Sequence, residues 1–239
     1  MGQTIRFKRP DGQELAGYLA LPRGGVAAPG VVVIHEWWGL GSPKERAPHL
    51  ADRLAEAGFR ALVPDLFRGK HAGEDPEQAG KLMKTLKFEE AVDQDIRGAV
   101  QHLKSYGGHE TRAGVIGFCL GGALAMAAAV RGRELDVAVT FYGIPPREVA
   151  DPASIRVNFQ SHWANDDEWC TPDAVTEVER RMRAGGVVYE LWRYDARHAF
   201  MNDVRPEAYN PKAAQEAWDR TVPFRRRALG TAAAQGVPA

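Results

Sequence analysis

The chain has 239 residues, and its 31 basic and 31 acidic side chains cancel to a formal net charge of zero. That balance gives no electrostatic reason to expect nucleic acid or an anionic membrane as a partner, and no apolar run approaches the roughly 18 residues of a membrane span. Residues 1–6 lack the apolar core of a signal peptide. With two cysteines, too few for a disulfide scaffold, we expect a cytoplasmic protein.

Strand and helix patterns alternate along the chain. Residues 4–8 and 14–21 alternate in polarity around the turn Asp11-Gly12, which predicts an antiparallel hairpin at a sheet edge. Further strands are predicted at 31–34, 59–63, 137–142, 155–160 and 187–192, and in the apolar run before Gly117. Helices are predicted at 44–57, 77–86, 88–106, 172–184 and 211–229, and in the small-residue run 123–130.

This alternation predicts an α/β protein with a mostly parallel, doubly wound sheet and helices on both faces. Residues 24–30 are predicted as a loop, and Gly107-Gly108 as the end of the helix before them. We expect a single domain over residues 1–229 and a frayed tail over 230–239. In such sheets the functional site lies at the carboxyl ends of the strands.

The stretch Gly117-Phe118-Cys119-Leu120-Gly121 joins a predicted strand to a predicted helix. It is the cysteine form of the G-x-S-x-G nucleophile elbow. The turn is so sharp that Cβ atoms beside the nucleophile would collide with the neighbouring strand and helix, which explains the glycines. A helix N-terminus favours a thiolate and, later, an oxyanion. The alternative is a buried structural cysteine in an ordinary strand-to-helix turn.

Candidate partners for Cys119 follow the later strands. Asp167 lies after strand 155–160 and His198 after the last strand, which is the chain order nucleophile, acid, histidine of α/β-hydrolases. His198 would exchange the thiol proton, and Asp167 would orient the imidazole. Asp166 and Asp195 are further options for the acid. Taken singly, His198 could be a surface histidine and Asp167 a capping carboxylate.

Two backbone N–H groups are predicted to form an oxyanion hole, those of Leu120 and Trp37. Glu36 follows the buried strand 31–34, where an unpaired carboxylate is costly. Near Cys119 it would oppose thiolate formation or accept the thiol proton. Spacing alone does not distinguish these roles from that of a surface glutamate at a strand end.

Taken together, these motifs resemble the dienelactone hydrolase family. The stretches that carry the resemblance are His35-Glu36-Trp37-Trp38-Gly39, Gly117-Phe118-Cys119-Leu120-Gly121-Gly122, Asn165-Asp166-Asp167-Glu168, His198-Ala199-Phe200 and residues 202–209. The resemblance spans roughly residues 4–228. It implies an α/β-hydrolase fold, a Cys-His-Asp triad on Cys119, His198 and Asp167, and no metal or organic cofactor.

The resemblance also implies a role for Glu36 and an activity. In the type enzyme the matching glutamate accepts a hydrogen bond from the resting thiol, and substrate binding releases it so that the thiolate forms; Glu36 therefore resembles an activation switch. The implied activity is ring opening of 4-carboxymethylenebut-2-en-4-olide (dienelactone) to maleylacetate, in the bacterial breakdown of (chloro)catechols.

The sequence departs from the type pattern where the substrate carboxylate is bound. Two arginines clamp that carboxylate in the type enzyme, but Asn202 occupies the position of one, and residues 73–88 contain no arginine to match the other. Lysines in that stretch do not replace a bidentate guanidinium. Arg197, directly before His198, either restores a cation near the site or points outward.

Tryptophans on the strand-end loops suggest an aromatic pocket rim. They are Trp37, Trp38, Trp163 and Trp169, and for at least two of them core packing is the expected role. Trp38, Trp163, Arg197 and Asn202 are thus the candidate substrate-binding residues.

The sequence therefore predicts a cysteine-dependent hydrolase of small lactones or esters with altered carboxylate recognition. A different lactone, ester or thioester is an open alternative to dienelactone. Other classes are a hydrolase-fold binding protein without turnover, a cysteine peptidase and a redox protein. Cys170 lies on a different loop from Cys119 and forms no C-x-x-C motif with it, which argues against redox chemistry. The sequence does not predict the oligomeric state.

Overall fold

The computed structural model describes residues 2–23, 28–106, 111–132 and 134–230. Within these ranges one sheet contains eight strands: β1 Gln3–Lys8, β2 Glu14–Ala20, β3 Gly30–Ile34, β4 Arg60–Pro64, β5 Ala113–Phe118, β6 Val137–Phe141, β7 Asn158–Asp166 and β8 Tyr189–Arg197. Their order across the sheet is β1-β2-β4-β3-β5-β6-β7-β8. The β1–β2 and β2–β4 pairs are antiparallel, and the other pairs are parallel. The sheet is thus mostly parallel with an antiparallel edge, as predicted.

Helices cover both faces of the sheet. They are α1 Ala47–Glu56, α2 Pro76–Thr85, α3 Phe88–Glu90, α4 Arg97–Ser105, α5 Leu120–Arg131, α6 Pro172–Ala184 and α7 Pro211–Leu229. A π-helical turn, Ala91–Ile96, joins α3 to α4, and a 3₁₀ turn spans Pro152–Ser154. No helix in the described part of the chain has both the length and the apolar character needed to cross a membrane.

The central strand β3 explains the two layers of core. Successive side chains on a strand point to opposite faces, and all of β3 is buried. Val31 and Val33 pack with α1 on one face, in the same cluster as the apolar residues of α7, while Val32 and Ile34 pack with α4 and α5 on the other face. A strand buried on both sides reads as a continuous apolar run, which is why it could be recognised from sequence.

Local signals were confirmed where a turn or cap residue specifies the geometry. The hairpin turn contains Gly12 at a φ of 83°, and β1 pairs with β2 from Lys8 opposite Glu14 to Gln3 opposite Leu19. Thr171 caps α6, because its hydroxyl accepts the N–H of Ala174 at 3.3 Å. The predicted helix end at Gly107-Gly108, part of the loop 24–30, and the tail beyond residue 230 lie outside the described residues.

The prediction ended the last two strands too early. The polar residues 161–166 continue β7 as far as Asp166, and the buried ones among them are satisfied inside the sheet. His162 is fully buried; its Nδ1 accepts a hydrogen bond from Tyr194 Oη at 2.7 Å, and its Nε2–H donates to Gln160 Oε1 at 2.9 Å. Burial, followed by the nearby charges of Arg220 and Arg225, lowers the pKa of His162 well below its usual value.

Two helix predictions also change. The helix predicted over 44–57 begins only at Ala47, and the one predicted over 88–106 contains the π-helical turn and is described as far as Ser105. Neither change moves the functional edge of the sheet. β4 lies on one side of β3, and the next strand along the chain, β5, lies on the other side. The strand order therefore reverses at β3. A crevice at the carboxyl ends of the strands is expected at that point.

Candidate active site

Cys119 lies between β5 and α5 in a strained backbone conformation. Its φ is 54° and its ψ is −117°, and it is the N-terminal capping residue of α5. A Cβ on Gly117 would overlap the carbonyl oxygen of Gly121, and a Cβ on Gly121 would overlap the carbonyl oxygen of Ile34. The glycines therefore allow β3, β5 and α5 to approach at the turn, for the steric reason given in the sequence analysis.

The environment of Cys119 favours the neutral thiol. Burial is the main cause that raises the pKa of this thiol well above its usual value, and the charge of Glu36 is the second. The backbone N–H of Leu120 acts in the opposite direction by hydrogen bonding to the sulfur. The resting side chain is therefore a thiol that needs a base or a change of charge nearby before it can act as a nucleophile.

Asp167 is the carboxylate that the structure brings to His198. His198 Nδ1 donates to Asp167 Oδ2 at 2.8 Å, while Asp167 Oδ1 accepts the N–H groups of Trp169 and Cys170 at 2.8 and 2.9 Å. Burial, the largest single cause, raises the pKa of Asp167, but the hydrogen bond and charge of His198 and the backbone N–H groups of Cys170 and Trp169 together outweigh it, so the pKa lies below its usual value. With Nδ1 donating, the free nitrogen of His198 is Nε2, which is able to accept a proton.

The other two acids that were considered do not bond to His198. The Asp166 side chain is 74% exposed and pairs with Arg197 Nε at 3.1 Å. Asp195 is exposed on β8, and its backbone carbonyl accepts a hydrogen bond from Asn210. The geometry favours Asp167 among the three.

Glu36 is buried beside the nucleophile but does not bond to it. Its Oε2 accepts a hydrogen bond from Asn202 Nδ2 at 2.9 Å, and its Oε1 accepts one from Tyr142 Oη at 3.3 Å. Burial raises the pKa of Glu36, and the Asn202 hydrogen bond partly offsets that rise. The described residues give Glu36 no hydrogen bond to Cys119, so the direct bond implied by the family resemblance is replaced by an electrostatic effect across the site.

Tyr142 follows β6 and was not among the predicted site residues. Its φ of 37° is uncommon for a residue with a side chain, and its ring meets that of His198 edge-on at a centroid distance of 5.1 Å. It therefore contacts both Glu36 and the candidate base. A polar side chain at the carboxyl end of a parallel strand, directly before a glycine, was the available sequence signal.

Cys119 and His198 line one cavity of about 470 Å³. Its apolar walls are Trp37, Met83, Trp169 and Ala208. Its charged residues are Asp166, Glu168, Arg197, Arg205 and Glu207. The ring of Trp37 contacts that of Trp169 edge-on at 6.2 Å, so two indoles form one side of the space. The volume is in the usual range for small-molecule sites.

The predicted substrate-binding residues divide between the cavity and the core. Arg197 lines the cavity and is 72% exposed, paired with Asp166. Trp38, Trp163 and Asn202 are buried and do not line it. Trp163 belongs to the main core, and Trp38 packs with Ala72 and Ala79, which fits the expectation that two of the four tryptophans are core residues.

Asn202 has a different environment from the one predicted. Instead of facing a substrate, its amide donates to Glu36 Oε2 and to the backbone carbonyl of Lys44, both at 2.9 Å. An amide can make these bonds without adding charge, whereas a guanidinium there would form a buried ion pair with Glu36. No group of histidine, cysteine and carboxylate side chains among the described residues has the arrangement of a metal site.

Comparison with known proteins identifies the family. The sequence model of the Dienelactone hydrolase family matches residues 15–229. The chain belongs to this family. "Protein usf" of Aquifex pyrophilus is 39% identical over 231 residues, covering 94% of this chain and 97% of that protein. A protein of Aquifex aeolicus named "Putative carboxymethylenebutenolidase" is 36% identical over 230 residues, with the same coverage of 94% and 97%.

A solved structure supports the same assignment at the level of the fold. The "Putative Dienelactone Hydrolase from Klebsiella pneumoniae" superposes with a TM-score of 0.82 at 22% identity, covering 97% of this chain and all of that one. This chain therefore has the α/β-hydrolase fold, and its membership of the family makes it a hydrolase of lactones or esters.

Arg205 lines the cavity and was also not among the predicted site residues. Its guanidinium pairs with Glu207 at 2.9 Å and lies over the ring of Trp38 at 5.4 Å. Its charge lowers the pKa of Glu36. Arg205 lies within residues 202–209, which contributed to the resemblance. No local sequence pattern indicates that Arg205, rather than Arg197, is the arginine whose charge lowers the pKa of Glu36.

Proposed function

We propose that this family member is a cysteine-dependent hydrolase of small lactones or esters, with Cys119, His198 and Asp167 as its catalytic triad. The observation that carries the proposal is the 2.8 Å hydrogen bond from His198 Nδ1 to Asp167 Oδ2, at a cavity lined by both His198 and Cys119. A nucleophile, a base and a group that orients the base are the parts that acyl transfer requires.

The chemistry follows from these roles. His198 Nε2 accepts the proton of the Cys119 thiol, and the thiolate attacks the carbonyl carbon of the substrate. The N–H groups of Leu120 and Trp37 donate to the oxyanion of the tetrahedral intermediate. The carbon–oxygen bond then breaks, the alkoxide takes the proton from His198, and a thioester on Cys119 remains. In a lactone the alkoxide stays attached to the acyl group, so the ring opens.

Water completes the reaction. His198 accepts a proton from water as the water attacks the thioester, and the carbon–sulfur bond breaks. The Cys119 thiolate then takes the proton back from His198, and the product leaves as a carboxylic acid that releases its own proton to water. Asp167 stabilises the imidazolium in both halves of the cycle, because it bonds to the opposite ring nitrogen.

Glu36 is proposed to control when the nucleophile is active. While Glu36 is ionised, its charge helps to keep the Cys119 pKa high and the thiol protonated. Protonation of Glu36 removes that charge, so His198 takes the thiol proton more readily. Burial already raises the pKa of the Glu36 carboxyl, which suits it to hold a proton.

The charged residues of the cavity support altered recognition of a substrate carboxylate. Asn202 is occupied by Glu36 and Lys44, and the cavity cations Arg197 and Arg205 each pair with a neighbouring carboxylate. We therefore expect uncharged lactones and esters to be better substrates than dienelactone, which carries a carboxylate.

Location and pathway are proposed on chemical grounds. A cysteine nucleophile must stay reduced, and the cytoplasm maintains thiols in that state, so we propose a cytoplasmic enzyme. The name of the Aquifex aeolicus relative makes dienelactone, and with it the breakdown of aromatic compounds, the first context to test.

The test compares wild type, Cys119→Ala and Cys170→Ala on p-nitrophenyl acetate and dienelactone. Cys170 is the matched control, because it is also a thiol and its contact with Asp167 uses its backbone N–H. We expect Cys119→Ala to lose at least about a thousandfold in rate, while Cys170→Ala stays near wild type. A burst of one p-nitrophenol per chain would indicate the thioester intermediate.

The other outcomes separate the alternatives. Turnover of p-nitrophenyl acetate alone would support the nucleophile and direct the search to another natural substrate. A folded wild type that hydrolyses neither compound would favour a binding protein without turnover, and cleavage of peptides would favour a cysteine peptidase. Full activity in Cys119→Ala would contradict the proposed nucleophile.

A further inference from the structure

Glu45 is a second buried carboxylate beside Glu36. It lies just before α1 and is 7% exposed. Its Oε2 accepts the backbone N–H of Glu36 at 3.0 Å, and its Oε1 accepts the N–H of Ala47, the first residue of α1, at 2.9 Å. One carboxylate therefore links the Glu36 backbone to a helix N-terminus, and no ion pair to it is found within the described ranges.

The Glu36 peptide is held from both directions. His35 Nδ1–H donates to the carbonyl oxygen of Glu36 at 2.6 Å, while Glu45 accepts its N–H. Together with the bonds from Asn202 and Tyr142 to the Glu36 carboxylate, these contacts fix the direction in which the side chain points. Of the four residues in this set, Glu45 is the one that changes its charge near pH 8.

The two carboxylates border the same small gap. It has a volume of about 10 Å³, room for one water at most, and is lined by Glu36, Glu45, Arg46, Leu50, Phe118, Tyr142, Met201 and Asn202. Charges interact strongly where water does not screen them. The two cations adjacent to Glu45 in sequence pair elsewhere, Lys44 with Glu74 and Arg46 with Asp203, so neither forms an ion pair with Glu36 or Glu45.

The charges of Glu36 and Glu45 change the pKa values of neighbouring groups. Burial, and after it the charge of Glu36, raises the pKa of Glu45 to about 8. Burial also raises the pKa of Tyr142 well above its usual value, with Glu36 as the next cause and Glu45 as a further one. Glu36 in turn raises the pKa of Cys119. Two interacting carboxyls of this kind ionise in separate steps.

We propose that Glu45 is a positioning residue whose charge governs the proton affinity of Glu36 and, through Glu36, the reactivity of the Cys119 thiol. The proposal rests on the proposed function, because it uses the control that the Glu36 charge has over the thiol. Glu45 bonds to the Glu36 backbone, and when Glu45 is ionised its charge favours the protonated, neutral form of Glu36. A neutral Glu36 no longer raises the pKa of the Cys119 thiol, so the thiolate fraction increases.

The sign of the effect can be stated for each pH range. Well below pH 8 Glu45 is protonated, and replacing it by glutamine changes little in the charge around Glu36. Above pH 8 it is ionised, and the wild type gains thiolate that the glutamine variant does not. His198 and Arg205, the other charges that act on Glu36, are the same in both proteins.

The experiment measures alkylation of Cys119 by iodoacetamide from pH 6 to 9.5, followed by mass spectrometry of the intact chain. All variants carry Cys170→Ala, so that Cys119 is the only thiol. We expect the background protein to show an extra rise in rate near pH 8, of about three- to tenfold, and Glu45→Gln to lack it while matching it below pH 7. Glu56→Gln, an exposed carboxylate at the end of the same helix, is the matched control and should behave like the background.

Two results would overturn the proposal. In one, the Glu45→Gln profile superimposes on the background at every pH; in the other, it is displaced by a constant factor at every pH, as a purely structural role predicts. Adding Glu36→Gln removes the intermediary, so Glu45→Gln should then have no further effect. If Glu45→Gln fails to fold, Glu45→Asp replaces it, and a rise that does not weaken when the carboxylate is withdrawn by one methylene contradicts the proposal.

Alkylation needs no turnover, which separates this proposal from the proposed function. A Glu45-dependent rise in a protein that hydrolyses no ester would refute the hydrolase and support the coupling. An active hydrolase whose alkylation rate shows no Glu45-dependent rise would support the hydrolase and refute the coupling.

Discussion

Replacing Asp167 by asparagine tests the central geometry of the site. In the wild type, Asp167 Oδ2 accepts from His198 Nδ1 at 2.8 Å, and Oδ1 accepts two backbone N–H groups. An asparagine can keep its oxygen on the backbone pair, but it then presents an NH₂ group to His198. Two donors cannot bond to each other, so the imidazole changes tautomer and Nε2 carries the proton that it should be accepting.

The expected magnitude follows from which bonds are lost. The wrong tautomer and the missing negative charge should lower kcat by about 10³- to 10⁴-fold, equivalent to about 4 to 5.5 kcal/mol of activation free energy. Folding should survive, because the backbone bonds remain and the loss of one charge-assisted hydrogen bond costs about 1.5 to 3 kcal/mol.

The assay is p-nitrophenyl acetate hydrolysis at pH 7.5, with thermal unfolding by circular dichroism to establish that each variant is folded. Asp195→Asn is the matched control, since that carboxylate is exposed on β8 and does not line the cavity; we expect its rate to stay within roughly threefold of wild type, as is usual for exposed side chains. A folded Asp167→Asn within tenfold of wild type, or an inactive Asp195→Asn, would refute the assignment.

Three further predictions concern the fold and the pocket. Gly117→Ala should yield no folded protein, as judged by soluble expression and circular dichroism, because its Cβ would overlap the backbone of Gly121. Trp163→Ala should cost about 3 to 5 kcal/mol in urea unfolding, whereas Trp37→Ala, in the cavity wall, should chiefly raise KM; equal stability losses would contradict this division. The pKa of Glu45, about 8 when folded, exceeds the usual value of about 4.3 when unfolded. The folded state therefore binds more protons between these values, and stability should fall by up to about 1.4 kcal/mol per unit from pH 5 to 8, with a flatter curve for Glu45→Gln.

The sequence predicted the parts of the fold whose cause is local. The apolar run of β3 and the glycines around Cys119 each have one physical explanation, so the sheet and the nucleophile turn followed directly. The end of β7 did not, because the polar residues that continue it are satisfied by partners far away in the chain. His162 looks like a loop residue until its bond to Tyr194, 32 residues later, is known.

The site followed the same division. Chain order together with the family resemblance led to His198 and Asp167, and the structure joins them. The environment of Glu36 could not be foreseen, because Tyr142 and Asn202 lie 106 and 166 residues away from it. The sequence predicted that Asn202 binds substrate, because no sequence signal indicates its hydrogen bond to Glu36. Periodicity and spacing identify which strand end a residue follows, but not which neighbour its side chain finds there.

The contacts of Asp167 also affect how readily this protein could acquire new substrates. One oxygen orients the imidazole, while the other holds the backbone of Trp169, whose indole is 66% exposed and forms part of the cavity wall. Because that bond uses the N–H rather than the ring, the side chain at position 169 can be exchanged without releasing the acid. The side chain at position 169 can therefore change while Asp167 still orients His198. A change of specificity at this position need not pass through an inactive intermediate sequence.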